Sequence, residues 1–176
     1  MTGQPGSIVV IGLGNPILSD DGIGWQVAEQ VRQVLEGQRY EGSPLAQDSV
    51  QITEACVGGL SLAELLVGYE RAVIVDAIMT GNAPPGTVYE LKLGDLPGTL
   101  NMASAHDTNL VTALRALRRY GARVPSDEAI DIVAVEAQDV WTFREECTPE
   151  VQRGLAGAVT RVLKLVGEQR EQLPGA

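Results

Sequence analysis

The chain has few of the residues that build disulfide frameworks and most metal sites. Its 176 residues include two cysteines and one histidine. Cys56 and Cys147 are too isolated to form a disulfide framework or a metal knuckle, so both are expected to be small buried residues. With His106 as the sole histidine, the chain also lacks the His-Glu-x-x-His helix of common zinc proteases.

Basic residues and long apolar runs are scarce as well. The chain has 13 Lys and Arg against 23 Asp and Glu, for a net charge of −10. We therefore expect neither nucleic acid nor an anionic membrane surface as a partner. An apolar stretch of about 18 residues and a basic leader with an apolar core are both missing. The sequence thus predicts neither a transmembrane helix nor a secretory signal, and a cytoplasmic location.

The order of apolar segments predicts the fold class. The length suits a single domain over residues 1–176 with an ordered core from about 7 to 169. Alternating strands and helices predict an α/β fold: a mostly parallel, twisted sheet of about five strands with helices on both faces. A surface loop is expected at 37–49, and the alternating strand at 87–93 should be antiparallel or at an edge. The other predicted strands are 8–11, 50–56, 72–78 and 129–135, and the predicted helices are 25–35, 60–67, 107–120 and 149 to about 169.

A glycine-rich turn carrying two adjacent carboxylates is the most informative segment. It reads Gly12-Leu-Gly-Asn-Pro-Ile-Leu-Ser-Asp-Asp-Gly-Ile-Gly24 and joins the first strand to the first helix. A dinucleotide fingerprint needs glycine where Ile17 stands, and the preceding Pro16 has no N–H for a phosphate. The Gly-Lys-Ser/Thr ending of a P-loop is missing too. The turn is therefore interpreted through its carboxylates, Asp20 and Asp21.

Four polar residues are expected to meet at one edge of the sheet. Asp20 and Asp21 follow the first strand, Asp76 ends the third, and His106 precedes a helix. Ligands in open α/β sheets bind beyond the carboxyl ends of the strands. The positive end of the following helix favours a neutral imidazole at His106, which can bind a metal.

Structural roles for the same carboxylates remain open. Asp76 could cap the turn after its strand through the amides of Thr80 or Gly81, and Asp21 could be the N-cap of the first helix. Two successive carboxylates suggest different tasks. One of Asp20 and Asp21 would stabilise the turn while the other faces the crevice, in either order.

The motif Gly-Asn-Pro-(three residues)-Asp-Asp-Gly-Ile-Gly resembles the N-terminal signature of the hydrogenase maturation endopeptidases. Members of that family remove a C-terminal peptide from the large subunit of nickel–iron hydrogenases. The resemblance runs in order over about residues 7 to 165. Its further segments are 59–66, 72–77, 85–87, Ser104-Ala-His106 and Glu136-Ala-Gln.

The resemblance implies a site and a partner. Asp21, Asp76 and His106 would be the metal ligands and catalytic residues, with Asp20 as a candidate helper base. The metal would be nickel that arrives with the substrate, although other divalent ions such as zinc could occupy the site. The partner would be the hydrogenase large-subunit precursor.

Three other functions are weaker interpretations. A non-proteolytic metal-binding or metal-delivery module could use the same three ligands. Peptidyl-tRNA hydrolases share the Gly-Leu-Gly-Asn-Pro turn, but a histidine follows it closely in them, and an acidic chain is poorly suited to RNA. A thiol or serine mechanism would need Cys56 or Ser104 as nucleophile with His106 as base.

Overall fold

The computed structural model describes residues 7–40, 50–93 and 110–171. Five strands and four α-helices alternate along these ranges, as the sequence predicts. Two short 3-10 turns, Ser19–Gly22 and Asp127–Ala129, precede α1 and β5. The elements are β1 (Ile8–Leu13), α1 (Ile23–Tyr40), β2 (Val50–Ala55), α2 (Gly59–Leu65), β3 (Arg71–Ile78), β4 (Val88–Lys92), α3 (Leu110–Arg119), β5 (Ile130–Glu136) and α4 (Pro149–Glu171).

The five strands form one sheet in the order β2-β1-β3-β5-β4. Four strands are parallel, and β4 runs antiparallel to β5 at the edge of the sheet. This arrangement confirms the predicted α/β class with a mostly parallel sheet. It also brings the carboxyl ends of β1, β2, β3 and β5 to one edge, hereafter the carboxyl edge.

The apolar runs of the central strands bury side chains on both faces of the sheet. Val10 belongs to the core under α1 and α4, whereas Val9 and Ile11 belong to the core under α2 and α3. Successive side chains of a strand point to opposite faces, so a strand covered on both sides must be apolar throughout. Every residue of β1 is accordingly buried.

The strand order creates a crevice between β1 and β3. From β1 the chain moves to β2 on one side and then returns to β3 on the other. Such a switch point leaves the carboxyl ends of two neighbouring strands open to ligands. The parallel pairing of β1 with β3 ends at Gly12 and Val75, so Asp76 lies one residue beyond the paired part of β3.

Two predictions were wrong. The helix α1 continues to Tyr40 through Gly37, where a loop was expected to begin. A side chain at Gly37 would meet nothing within 4 Å, so no contact requires glycine there. A glycine in an exposed helix lowers helix stability by only about 1 kcal/mol relative to alanine, which the helix tolerates. Cys56 is exposed rather than buried because it follows β2 instead of ending it, whereas Cys147 is buried as predicted.

The helices of the described ranges include none that is long and apolar enough to cross a membrane. Residues 41–49, which complete the predicted loop, lie outside the described ranges. The same is true of 107–109, the expected start of α3, which is described from Leu110.

Candidate functional site

Two glycines allow the carboxylate turn to fold tightly against the sheet. Gly14 has a φ of +119°, and a Cβ there would lie 1.8 Å from the carbonyl oxygen of Asp21. A Cβ at Gly24 would lie 2.2 Å from the carbonyl oxygen of Leu13 and 2.7 Å from that of Val75. Glycine at these positions therefore lets the turn close on itself and lets α1 approach both β1 and β3.

Asp20 is a fully buried carboxylate with four hydrogen bonds. Its Oδ2 accepts the N–H groups of Gln138 and Asp139, both at 2.9 Å, and the Thr148 hydroxyl at 3.1 Å. Its Oδ1 accepts the Thr148 N–H at 2.6 Å. Asp20 thus fastens the turn after β1 to the loop between β5 and α4.

Asp21 is only partly buried and has a different environment. Its Oδ2 accepts the N–H of Asn15 at 2.6 Å, within the turn that precedes α1. Burial raises the pKa of Asp21, and the Asn15 bond opposes this shift. The described amides of α1 make no bond to this carboxylate, so the N-cap role is not seen. Of the two adjacent carboxylates, Asp20 stabilises the turn and Asp21 retains unbonded acceptor capacity.

Asp76 is buried at 3% exposure and makes one described hydrogen bond, from the Ala77 N–H to Oδ1 at 2.9 Å. Burial raises its pKa to about 7, and the negative charge of Asp21 adds to the rise. The strand β3 also contacts the 3-10 turn Ser19–Gly22, which carries Asp21, so the two carboxylates lie near one another. A buried carboxylate with one donor is under-stabilised as an anion.

The turn after β3 is bound by Glu136, not by Asp76. Glu136 is buried at the end of β5 and accepts the N–H groups of Thr80 and Gly81 at 2.7 and 2.9 Å. Its Oε2 accepts the hydroxyls of Thr80 and Tyr89 at 2.6 and 2.9 Å. Although burial opposes it, these bonds lower the pKa of Glu136. The capping role considered for Asp76 was therefore wrong.

Sequence reasoning missed this structural role of Glu136, which it noted only as part of a resemblance. The available signal was the one that identified Asp76: a carboxylate at the end of an apolar strand. Glu136 ends β5, and Asp76 lies two residues before the end of the neighbouring parallel strand β3, since Ile78 pairs with Glu136 and Asp76 with Ala134. The same signal thus marks two carboxylates with different environments.

The third expected ligand, His106, lies outside the described residues, as does Ser104. Within the described ranges, no three His, Cys, Asp or Glu side chains converge as a metal site. The structure therefore brings together two of the three expected ligands, Asp21 and Asp76. Oxygen ligands with negative charge and few donors suit a divalent cation, and an imidazole would make the set suitable for nickel or zinc.

The two thiols have contrasting environments. Burial and the nearby Asp20 charge raise the pKa of the Cys147 thiol to about 11, so this thiol stays protonated at neutral pH. Its Sγ accepts a bond from the Gln26 side-chain amide at 3.4 Å. Cys56 is exposed just beyond β2, at the carboxyl edge. Cys56 is thus the accessible thiol of the pair.

The fold and its carboxylates define a doubly wound α/β protein with two sparsely bonded carboxylates at the switch point of the sheet. A family model described as hydrogenase maturation protease matches residues 34–165. The chain belongs to the hydrogenase maturation protease family. The matched range includes Asp76 and His106 and begins after the turn that carries Asp21.

Individual relatives agree with this family. The hydrogenase 2 maturation protease of Escherichia coli is 31% identical over 115 residues, a match that spans 65% of each chain. A putative hydrogenase maturation protease of Methanocaldococcus jannaschii is 24% identical over 90% of this chain and 93% of that protein. The solved structure of the hydrogenase maturating endopeptidase HybD from E. coli superposes with a TM-score of 0.72, at 26% identity, over 92% of this chain and 93% of that one.

Proposed function

We propose that this protein is an endopeptidase that removes a C-terminal peptide from the nickel-loaded large-subunit precursor of a nickel–iron hydrogenase. The observation that carries the proposal is the pair of under-bonded carboxylates, Asp21 and Asp76, at the switch point of a chain in this family. Action in the cytoplasm stays a prediction from the sequence.

Electrostatics favour a cation as the missing partner of the two carboxylates. Both pKa values are raised, chiefly by burial, and Asp21 adds to the rise at Asp76. A divalent ion between them would replace this repulsion by attraction. We assign Asp21, Asp76 and His106 as the residues that contact the nickel of the bound precursor.

Nickel belongs to the substrate in this proposal. A site of two carboxylates and one imidazole, without thiolates, holds nickel weakly on its own compared with cysteine-rich sites. In the precursor the ion already has ligands, so the enzyme would complete its shell only when the proteins are docked. Such an ion can polarise a carbonyl group or a water molecule near the scissile bond.

Asp20 is assigned a positioning role instead of the role of general base. Both of its oxygens are engaged with N–H and O–H donors, and the side chain is fully buried. A base must reach the proton that it abstracts, and Asp20 has no exposed surface for this contact. Its bonds to Gln138 and Thr148 instead hold the backbone that presents Asp21.

The test uses metal-stripped enzyme mixed with nickel-loaded or nickel-free precursor, and it follows the length of the large subunit by mass spectrometry. We expect shortening of the loaded precursor alone, because nickel positions the tail for cleavage. Equal cleavage of both forms would refute recognition of substrate-borne nickel. Failure to shorten the loaded precursor would refute the protease and favour the metal-delivery alternative, which uses the same ligands and leaves the length unchanged.

A further inference from the structure

Exposed apolar side chains are concentrated at the carboxyl edge. Among the described residues, eight large apolar side chains are exposed, and six of them lie in or directly beside the loops at this edge. The other two, Val34 and Tyr120, lie on α1 and just after α3. The six are Ile17, Val57, Leu60, Met79, Trp141 and Phe143.

Trp141 and Phe143 are the most exposed of the six, at 73% and 80%. They lie two residues apart in the loop between β5 and α4, which we call the aromatic loop (residues 137–148). The chain has two tryptophans and one phenylalanine in all, so this loop carries two of these three rings. Exposing such rings to water is unfavourable unless they are covered in a complex.

The backbone of the aromatic loop is fixed by its own hydrogen bonds. Asp139 Oδ1 accepts the N–H groups of Trp141 and Thr142, both at 3.0 Å. Asp20 holds the start of the loop through the N–H groups of Gln138 and Asp139. The two rings therefore project from a turn whose conformation is already set before any partner binds.

The same loop is attached to the turn that carries Asp21. The Arg144 N–H donates to the Ile17 carbonyl at 3.0 Å, and the Ser19 N–H donates to the Arg144 carbonyl at 2.7 Å. The Arg144 guanidinium also donates to the Ser19 hydroxyl at 2.8 Å. The exposed rings thus have a fixed position relative to the crevice of Asp21 and Asp76.

The charge beside the rings indicates the partner's chemistry. Glu145 and Glu146 follow Phe143 and Arg144 directly, and both are exposed. Neither glutamate has an ion pair within the described ranges. A partner surface that complements this loop is an apolar patch bordered by basic groups.

We propose that Trp141 and Phe143 are the docking anchors for the large-subunit precursor and that they contact an apolar patch with a basic border on its folded surface. This inference rests on the proposed function, since it adds a binding surface around the same site. The precursor is the occupant because the aromatic loop is hydrogen-bonded to the turn that carries Asp21, which the proposed function places against the precursor's nickel. Aromatic anchors on a fixed loop lose little conformational freedom on binding.

The experiment measures the affinity of full-length enzyme for nickel-loaded precursor and, separately, kcat and KM for shortening. The variants are Trp141→Ala, Phe143→Ala and the double variant. Tyr120→Ala is the matched control, because Tyr120 is an aromatic residue exposed at 89% beside the opposite edge. We expect the double variant to raise Kd and KM by about tenfold or more with kcat within about twofold, and the control to change neither.

Conservative variants and salt provide a second readout. Trp141→Phe with Phe143→Leu retains apolar surface and should recover most of the affinity. Replacing Glu145 and Glu146 by glutamine should slow association and reduce its dependence on salt. Since the rings are exposed, the thermal unfolding of all variants should match that of the parent protein, which confirms that they fold.

The outcomes separate the docking surface from the proposed function. An unchanged Kd in the folded double variant overturns the docking proposal, as does a fall in kcat without a change in Kd. Wild-type enzyme that binds the precursor through these rings without shortening it would support docking and refute the protease. Wild-type enzyme that does not bind the loaded precursor overturns the docking proposal itself.

Discussion

Two carboxylates at the amino edge of the sheet and two at the carboxyl edge have opposite environments. At the amino edge, carboxylates are paired with cations: Asp131 with Lys92, and Glu70 with Arg123. At the carboxyl edge, Asp21 and Asp76 have no Lys or Arg partner within the described ranges. A carboxylate paired with a Lys or Arg of the same chain stabilises the fold. A carboxylate bonded only to a backbone N–H keeps an uncompensated negative charge, which a bound cation can neutralise.

A second contrast divides the carboxyl edge itself. Asp20 and Glu136 are buried and accept four hydrogen bonds each. Asp21 and Asp76 have one described bond each. The fully bonded pair holds the loops in place, and the sparsely bonded pair lies at the switch point of the sheet. The number of donors therefore separates structural carboxylates from candidate ligands of the same charge.

The largest expected effect comes from removing a candidate ligand. Asp76→Asn and Asp21→Asn should each reduce precursor processing by more than about 100-fold, because they remove charge from the crevice while the fold is retained. His106→Ala should do the same. The measurement is the rate of large-subunit shortening, with circular dichroism as the check on folding.

The matched control for these variants is Asp131→Asn at the amino edge. It breaks the ion pair with Lys92 and alters the contact with the Gln169 amide, so it should lower stability and leave processing intact. Normal processing by folded His106→Ala protein would contradict the ligand assignment. A loss of processing in Asp131→Asn equal to that in Asp76→Asn would remove the distinction between the edges.

The next effect concerns the fully bonded carboxylates. Asp20→Asn replaces an acceptor oxygen by an NH2 group facing N–H donors, which should cost about 3 kcal/mol of unfolding free energy. Processing should fall as well, because the turn presenting Asp21 loses its attachment. Urea unfolding measures the first effect. Full stability in Asp20→Asn protein would show that the four bonds do not hold the loops.

The pH dependence of stability distinguishes Asp76 from Asp20. Burial raises the folded-state pKa of Asp76 to about 7 from its ordinary value of 3.8. Between these values the unfolded chain releases its proton first, so the Asp76 contribution to stability falls as pH rises from about 4 to 7 and then levels off. At pH 8, metal-free Asp76→Asn protein should therefore be more stable than the parent by about 4 kcal/mol.

The advantage of Asp76→Asn should disappear near pH 4, where the Asp76 carboxyl is protonated in the folded parent protein. The measurement is urea unfolding of both proteins without metal at pH 4, 6 and 8. A difference that stays constant over this range would show that Asp76 titrates normally. A less stable variant at pH 8 would show that a donor compensates the buried charge.

The smallest effect is expected at Cys56. The thiol is exposed at the same edge as the candidate ligands, so Cys56→Ala tests whether position alone confers a role. We expect processing within about twofold of the parent rate, as for an ordinary surface substitution. The assay measures precursor shortening by the parent enzyme and by the variant, each with and without prior treatment of the enzyme with a thiol-blocking reagent. Complete loss in folded Cys56→Ala protein would favour a thiol mechanism.

The sequence predicted the fold well because its signals are local and strong. Apolar runs such as those of β1 and β3 are long enough to identify strands covered on both faces. The helix α4 begins at Pro149 as expected, and the hydroxyl of the preceding Thr148 bonds to Asp20. Local patterns therefore located the elements, while the partner of this hydroxyl depends on a turn more than 100 residues earlier in the chain.

The site was only partly predictable for the same reason. The sequence placed Asp21 and Asp76 at one edge, since Asp21 follows β1 and Asp76 lies near the carboxyl end of the parallel strand β3. Without the family resemblance, the residues alone could not divide the tasks of Asp20 and Asp21, because the direction of each side chain depends on a 3-10 turn and on a Ser19 φ of +47°. The environment of Glu136 likewise depends on the path of a distant loop.

The four hydrogen bonds that Asp20 accepts also constrain how the protein is made. Two of these bonds join residues that are 128 positions apart in the chain. During synthesis from the N-terminus, Asp20 lacks these partners until Thr148 has left the ribosome. Contacts of such long separation form late and slow the folding of the whole chain. The nascent protein therefore completes the hydrogen bonds of Asp20 only after the segment that carries Thr148 has been made.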